Sequence, residues 1–191
     1  MRGVVWMTGL SGSGKSTLAV ELRDRLRRVG VSSCVLDGDA LRAGVSSDLG
    51  FSDADRREQV RRAAELGLVL MQNELLAIVA LISPRSADRL NARQRVGSRN
   101  FIEVFVSAPL EVCEARDVKG LYAAARRGTV AGFTGVSATY EPPKAADLIL
   151  DTGSASIAES AEKLFDYTVS RFASRVSRQP QMVALSVEAL R

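Results

Sequence analysis

"GLSGSGKST", Gly9 to Thr17, stands between the apolar "GVVWMT" of Gly3–Thr8 and the helix-periodic "LAVELRDRLRRVG" that follows. Gly9, Gly14, Lys15 and Ser16 fill the pattern G-x-x-x-x-G-K-[ST]. The glycines let the backbone turn so that successive N–H groups point inward. A helix beginning at the loop adds its unpaired N–H groups and its positive dipole end. Lys15 is placed to reach the β/γ-phosphates, and Ser16 to ligate Mg²⁺. With a strand before it and a helix after it, the stretch reads as a binding site for a nucleoside triphosphate.

Working outward, strand and helix alternate. Gly3–Thr8 reads as a buried strand, and Leu18, Leu22 and Leu26 stripe a helix over Ser16–Val29. "SSCVLDGD" reads as a second strand ending in a carboxylate-rich turn. Ser52 caps a long helix from Asp53 to about Asn73, with acidic residues in its first turn. The unbroken apolar run Leu75–Ile82 suits a central parallel strand, stopped at Ser83-Pro84. A helix over Ser86–Arg95, the strand "FIEVFV", a helix opening at Pro109, the strand "DLILDT" and a helix from Ile157 to about Ser174 complete the series. The fold class expected is therefore α/β, a P-loop NTPase fold with a parallel five-stranded sheet covered by helices on both faces. One domain spans 1–175. Its segment at about 116–143 has little apolar periodicity and reads as a lid. The tail 176–191 reads either as a short docking helix or as partly disordered.

Composition narrows the chemistry. A chain of 191 residues, 46% hydrophobic and 25% charged, suits one ordinary domain. No apolar run is long enough to span a bilayer and no signal peptide is visible, so a cytoplasmic location and no membrane partner are expected. Cys34 and Cys113 are too few for a disulfide framework and read as buried small hydrophobes. The chain has no histidine, which leaves carboxylates, hydroxyls, Lys, Arg and a bound metal for catalysis. Net charge is +4, yet the arginines are spread through amphipathic segments; a small anionic ligand fits that better than nucleic acid.

Asp37 and Asp39, in "LDGD", fall at the carboxyl end of the second strand, where ligands sit in open α/β sheets. One suits a water-bridged Mg²⁺ and the other suits orienting an acceptor hydroxyl. A plain Asp-Gly turn is the alternative reading.

In this order and at fitting spacing, "GLSGSGKST", "LDGD", "DLGFSDADR", "ISP", "FIEVFVSAPLEVCEARDVKGLY" and "GFTGV" resemble the adenylylsulfate (APS) kinase family over roughly residues 3–152. The resemblance implies transfer of the γ-phosphate of MgATP to the 3′-hydroxyl of APS, giving PAPS in sulfate activation, by a protein that is commonly a homodimer. It implies ATP contacts at Gly9, Ser11, Gly12, Ser13, Gly14, Lys15, Ser16 and Thr17, with Arg116 covering the nucleotide. It implies a metal at Ser16 and Asp37, and a catalytic set of Lys15, Asp39 and Ser83. The acceptor would meet Asp39, Arg42, Arg56, Gln59, Ile82, Ser83 and the lid residue Lys119. Its adenine would lie between Phe51 and Phe133. By its surroundings alone Phe51 reads equally as a hydrophobic staple, whereas Phe133, among small polar residues, has no evident core role.

The departures from the family pattern gather on the acceptor side. Ala40 replaces an Asn, Ala43 a His, Gln59 an Asn, and Arg85-Ser86 a Tyr-Arg pair. Arg85 offers a replacement cationic contact. Two further readings therefore stay open: a related P-loop kinase with a different small nucleotide or hydroxyl acceptor, and a non-catalytic nucleotide-binding regulator.

Overall fold

The computed structural model of the chain describes residues 1–173. Five strands, β1 (Gly3–Thr8), β2 (Ser33–Asp37), β3 (Leu76–Ala80), β4 (Phe101–Ser107) and β5 (Leu148–Asp151), form one sheet in the order β2-β3-β1-β4-β5. Every pairing is parallel. Helices α1 (Lys15–Arg28) and α7 (Ile157–Ala173) cover one face. Helices α3 (Asp53–Gln72) and α4 (Ser86–Val96) cover the other. Short helices α2 (Gly38–Ala43), α5 (Leu110–Arg116) and α6 (Leu121–Arg126) lie at the carboxyl end of the sheet and in the lid.

The buried pattern of β1 follows from its central place. Val5 and Met7 point into the cluster of Leu18, Leu22, Leu26, Ala161, Leu164 and Phe172. Val4 and Trp6 point the other way, to Val60, Ala63, Ala92, Val96 and Phe101. The two sides alternate because strand side chains have a period of two, and both are apolar because both faces are covered. Trp6 stacks on Phe101 with ring centroids 5.6 Å apart. The cap of α3 is a full capping box: Ser52 Oγ accepts from Asp55 N–H, and Asp55 accepts from Ser52 N–H.

Three local differences have physical causes. The ladder of β3 ends at Ala80, although the apolar run continues to Ile82. Leu81 N–H still donates to Met7 O, but at Ile82 the carbonyl accepts from the Thr8 hydroxyl, so side-chain bonding replaces the ladder there. The "LDGD" turn is a short helix whose N-cap is Asp37, since Asp39 N–H donates to Asp37 Oδ1 at 2.9 Å. The segment expected to be a lid contains α6, whose amides at Tyr122 and Ala123 donate to the Asp117 carboxylate. Cys113 is buried as expected, whereas Cys34 on the edge strand β2 is only half-buried; both are free thiols. No helix among the described residues is long and apolar enough to cross a membrane. The tail 176–191 and the end of the expected last helix lie outside the described residues.

Candidate active site

The phosphate loop joins β1 to α1. A Cβ at Gly9 would lie 2.3 Å from Val106 O, and Gly14, with φ of 101°, starts α1 in a left-handed conformation without a side-chain cap. Both positions need glycine. The free N-terminal amides of α1 thus stay open towards the cleft. Lys15 Nζ, nearly buried, donates to Gly9 O at 2.9 Å and to Leu10 O at 2.7 Å. Burial brings its pKa from 10.5 down to about 8, against the opposing pull of Cys113 and Asp37. Ser16 Oγ donates to Asp37 Oδ2 at 2.6 Å. These are hard oxygen donors side by side between the loop and the end of β2, a set that fits Mg²⁺.

The residues expected to meet an acceptor line, together with the loop, a cleft of ≈ 520 Å³. Its lining includes Ser11, Gly12, Gly14, Lys15, Ser16, Thr17 and Asp37 from the donor side. Asp39, Arg42, Phe51, Arg56 and Gln59 come from α2, the following loop and α3; Ile82 and Ser83 from the end of β3; Arg116, Lys119 and Phe133 from the lid. Of the residues picked from the sequence, Gly9 and Ser13 do not line it. Gly9 packs on Val106 O, and Ser13 is buried with its carbonyl accepting from Thr152 Oγ1.

Phe51 is 64% exposed, with the Arg42 guanidinium 4.4 Å and the Arg56 guanidinium 5.7 Å from its ring centroid. It is no hydrophobic staple, because the residue at the fourth helical position is Arg56. Arg42 also donates to Leu49 O and Gly50 O, while Arg56 donates to Phe51 O and, in the lid, to Gly132 O at 2.8 Å. Phe133 corrects the expectation that it lacks a core role: it is 7% exposed and packs edge-on against Tyr122, with Cys113 and Ala125 in the same small lid core. Gln59 is buried, and its Nε2 donates to Gly38 O at 3.3 Å. Asp39 forms an ion pair with Lys119.

Ser83 is buried and takes φ of 39°, unusual for a residue with a Cβ. Its Oγ accepts from Trp6 Nε1 at 3.1 Å, and Thr8 Oγ1 lies 3.0 Å from the Tyr140 hydroxyl. Arg116 spans from Gly12 O to Thr152 O. Arg85, expected to offer a replacement cationic contact, does not line the cleft and pairs with Asp53 and Glu141. Ser86, beside it, donates through N and Oγ to Glu141, which serves as the missing cap of α4.

Sequence reasoning missed several supporting residues. Tyr122 OH donates to Ser11 O at 2.9 Å, tying the lid to the phosphate loop. Thr152 Oγ1 holds Ser13 O and Ser107 O. Trp6, Thr8 and Arg89 hold the Ser83 turn. The one available signal was a polar residue closing an apolar strand, as at Thr8 and Thr152.

Comparison with known proteins bears on this geometry. A family model described as adenylylsulphate kinase matches residues 1–151. The chain is 52% identical over 166 residues to an adenylyl-sulfate kinase of Paraburkholderia xenovorans, covering 87% of this chain and 92% of that one. Its fold is similar to the Mycobacterium tuberculosis APS kinase solved with AMPPNP and APS, with TM-score 0.84, 45% identity, and coverage of 87% of this chain and 98% of that one. It is also similar to the hexameric APS kinase of Thiobacillus denitrificans, with TM-score 0.65, 30% identity, and coverage of 87% of this chain and 29% of that one.

Proposed function

Because the chain belongs to the adenylylsulphate kinase family, we propose that its cleft transfers the γ-phosphate of ATP to the 3′-hydroxyl of APS, with the side chains of the two walls divided between donor and acceptor. The chain is an ATP-dependent kinase acting on a hydroxyl group. The observation that carries the residue assignment is that Lys15 and Asp39 line one and the same cleft.

In this reading the amides of Ser11–Thr17 hold the phosphates of ATP, and Lys15 exchanges its carbonyl partners for phosphate oxygens. Ser16 and Asp37 would hold Mg²⁺, which would supply neutralisation of phosphate charge. Asp39 exchanges Lys119 for the acceptor hydroxyl, aims it at the γ-phosphorus and takes its proton. Lys119, once released, meets the phosphosulfate, as do Arg42 and Arg56. Phe51 offers one face to the acceptor base and the Phe133 edge of the lid core the other. Arg116 lies against the ATP base. Ile82 and Ser83 form the floor beneath the acceptor, with the Ser83 hydroxyl committed to Trp6.

The test is ADP release by the purified chain with MgATP, comparing APS with a panel of nucleotides and hydroxyl compounds. APS-dependent release is expected. Turnover only with another acceptor would reassign the cleft, and the substitutions Ala40, Ala43 and Gln59 are the features such a reassignment would use. We further propose a homodimer acting in the cytoplasm; light scattering is expected to return twice the 20.5 kDa chain mass.

A further inference from the structure

We propose that Arg89 is a positioning residue that locks the turn at Ser83 to the foot of the lid at Tyr140–Glu141, so that the acceptor floor and the lid are set as one piece. This rests on the reading of the cleft given above and adds to it a residue that does not line it.

The guanidinium of Arg89 is 3% exposed and uses all three of its nitrogens in different directions. Nε donates to Glu103 Oε1 at 2.8 Å, on β4. Nη1 donates to Ser83 O at 2.8 Å, and Nη2 donates to Glu141 O at 2.8 Å. The cation also lies 6.0 Å from the Tyr140 ring centroid. A buried guanidinium is costly unless it is paired and hydrogen-bonded, and here each of the three nitrogens donates to a different segment. Glu103 fixes the charge on the sheet, which leaves the two terminal nitrogens to join the carbonyls of Ser83 and Glu141.

The Ser83 end of this link is strained, with φ of 39°. Such a conformation persists when its surroundings over-determine it. Trp6 holds the Ser83 side chain and Arg89 holds its carbonyl. The lid end is held in the same place: Glu141 N–H donates to Pro84 O at 2.9 Å, and the Glu141 carboxylate caps Ser86 and pairs with Arg85. Lysine at position 89 would keep the charge opposite Glu103 but has no planar fork to reach both carbonyls.

Two variants, Arg89→Lys and Arg89→Gln, test the link. Hydrogen exchange without substrates reads the Glu141 amide, and steady-state kinetics read the two substrates separately. The expected result is about tenfold faster exchange at Glu141, β1 and β4 amides unchanged, an APS KM raised about tenfold and an ATP KM within about twofold of wild type. Unchanged exchange at Glu141 overturns the proposal. So does a rise in both KM values together, faster exchange with an unmoved APS KM, or loss of the native thermal transition in both variants. If the wild type itself fails to turn over APS, the acceptor assignment falls, and exchange at Glu141 alone decides the role of Arg89.

Discussion

Lys119 of the lid and Asp39 of α2 form an ion pair across the mouth of the cleft, 80 residues apart in sequence. Both side chains are more than half exposed, so the pair contributes little to folding. In the proposed reading its consequence is functional, because Asp39 would leave Lys119 to meet the acceptor hydroxyl. Asp39→Asn is expected to lower turnover by about 10²-fold or more while leaving ATP affinity within about twofold and the melting temperature unmoved. Rapid-quench turnover with parallel calorimetric ATP titration checks this; an unchanged rate would remove Asp39 from proton transfer.

The two aromatics assigned to the acceptor base differ in what else they do. Phe133 belongs to a lid core with Tyr122, so Phe133→Ala is expected to cost about 3 kcal/mol of stability as well as acceptor affinity. Phe51 stands in solvent under two guanidiniums, so Phe51→Ala is expected to raise the acceptor KM with a stability change within about 0.5 kcal/mol. Urea melts and acceptor kinetics on both variants separate the roles. Equal stability losses would contradict the assignment.

Lys15 gives a pH signature. Its folded pKa, about 8, lies below the ordinary 10.5, so the unfolded chain binds more protons between those values. The group's burial penalty is therefore complete below about pH 8 and shrinks as pH rises to 10.5. Lys15→Met is expected to be more stable than wild type at pH 7, with the difference narrowing by pH 10. Binding runs the other way: ATP needs the ammonium, so affinity is expected to fall above about pH 8, by at most tenfold per pH unit. Melting curves and nucleotide titrations over pH 7–10 read the two effects; a flat ATP affinity across that range would contradict the phosphate role of Lys15.

The capping box of α3 gives a prediction about the fold. Ser52→Ala removes the acceptor for Asp55 N–H and is expected to cost about 1 kcal/mol, or about 2–4 °C in melting temperature. Phe51, Arg56 and Gln59 hang on that first stretch of helix, so the acceptor KM is expected to rise with it. Calorimetry and kinetics on the same preparation check both.

The sheet and its long helices were legible in the residues because each is announced by period and punctuation. Val4 to Met7 and Leu76 to Ala80 are apolar without a break, and Leu18, Leu22 and Leu26 repeat at helical spacing. The short helices α2 and α6 were not legible. Each is six residues long, too short for a periodic stripe, and is stabilised by one aspartate cap apiece, Asp37 and Asp117. The phosphate loop was legible because a backbone cradle dictates its glycines. What supports the acceptor wall was not, since Trp6, Thr8 and Arg89 reach Ile82 and Ser83 only after distant segments have been brought together. Phe133 misled for a related reason: small polar neighbours in sequence do not reveal a Tyr122 beneath it in space.

One strand carries both reactants' supports. Gly9 leaves the end of β1 to begin the donor loop, and Trp6 and Thr8 of that same strand grasp the acceptor turn. In the proposed reading, the spacing of the two reactants is thereby set by the central strand of the sheet. A substitution that shifts β1 would then disturb the supports of both reactants together.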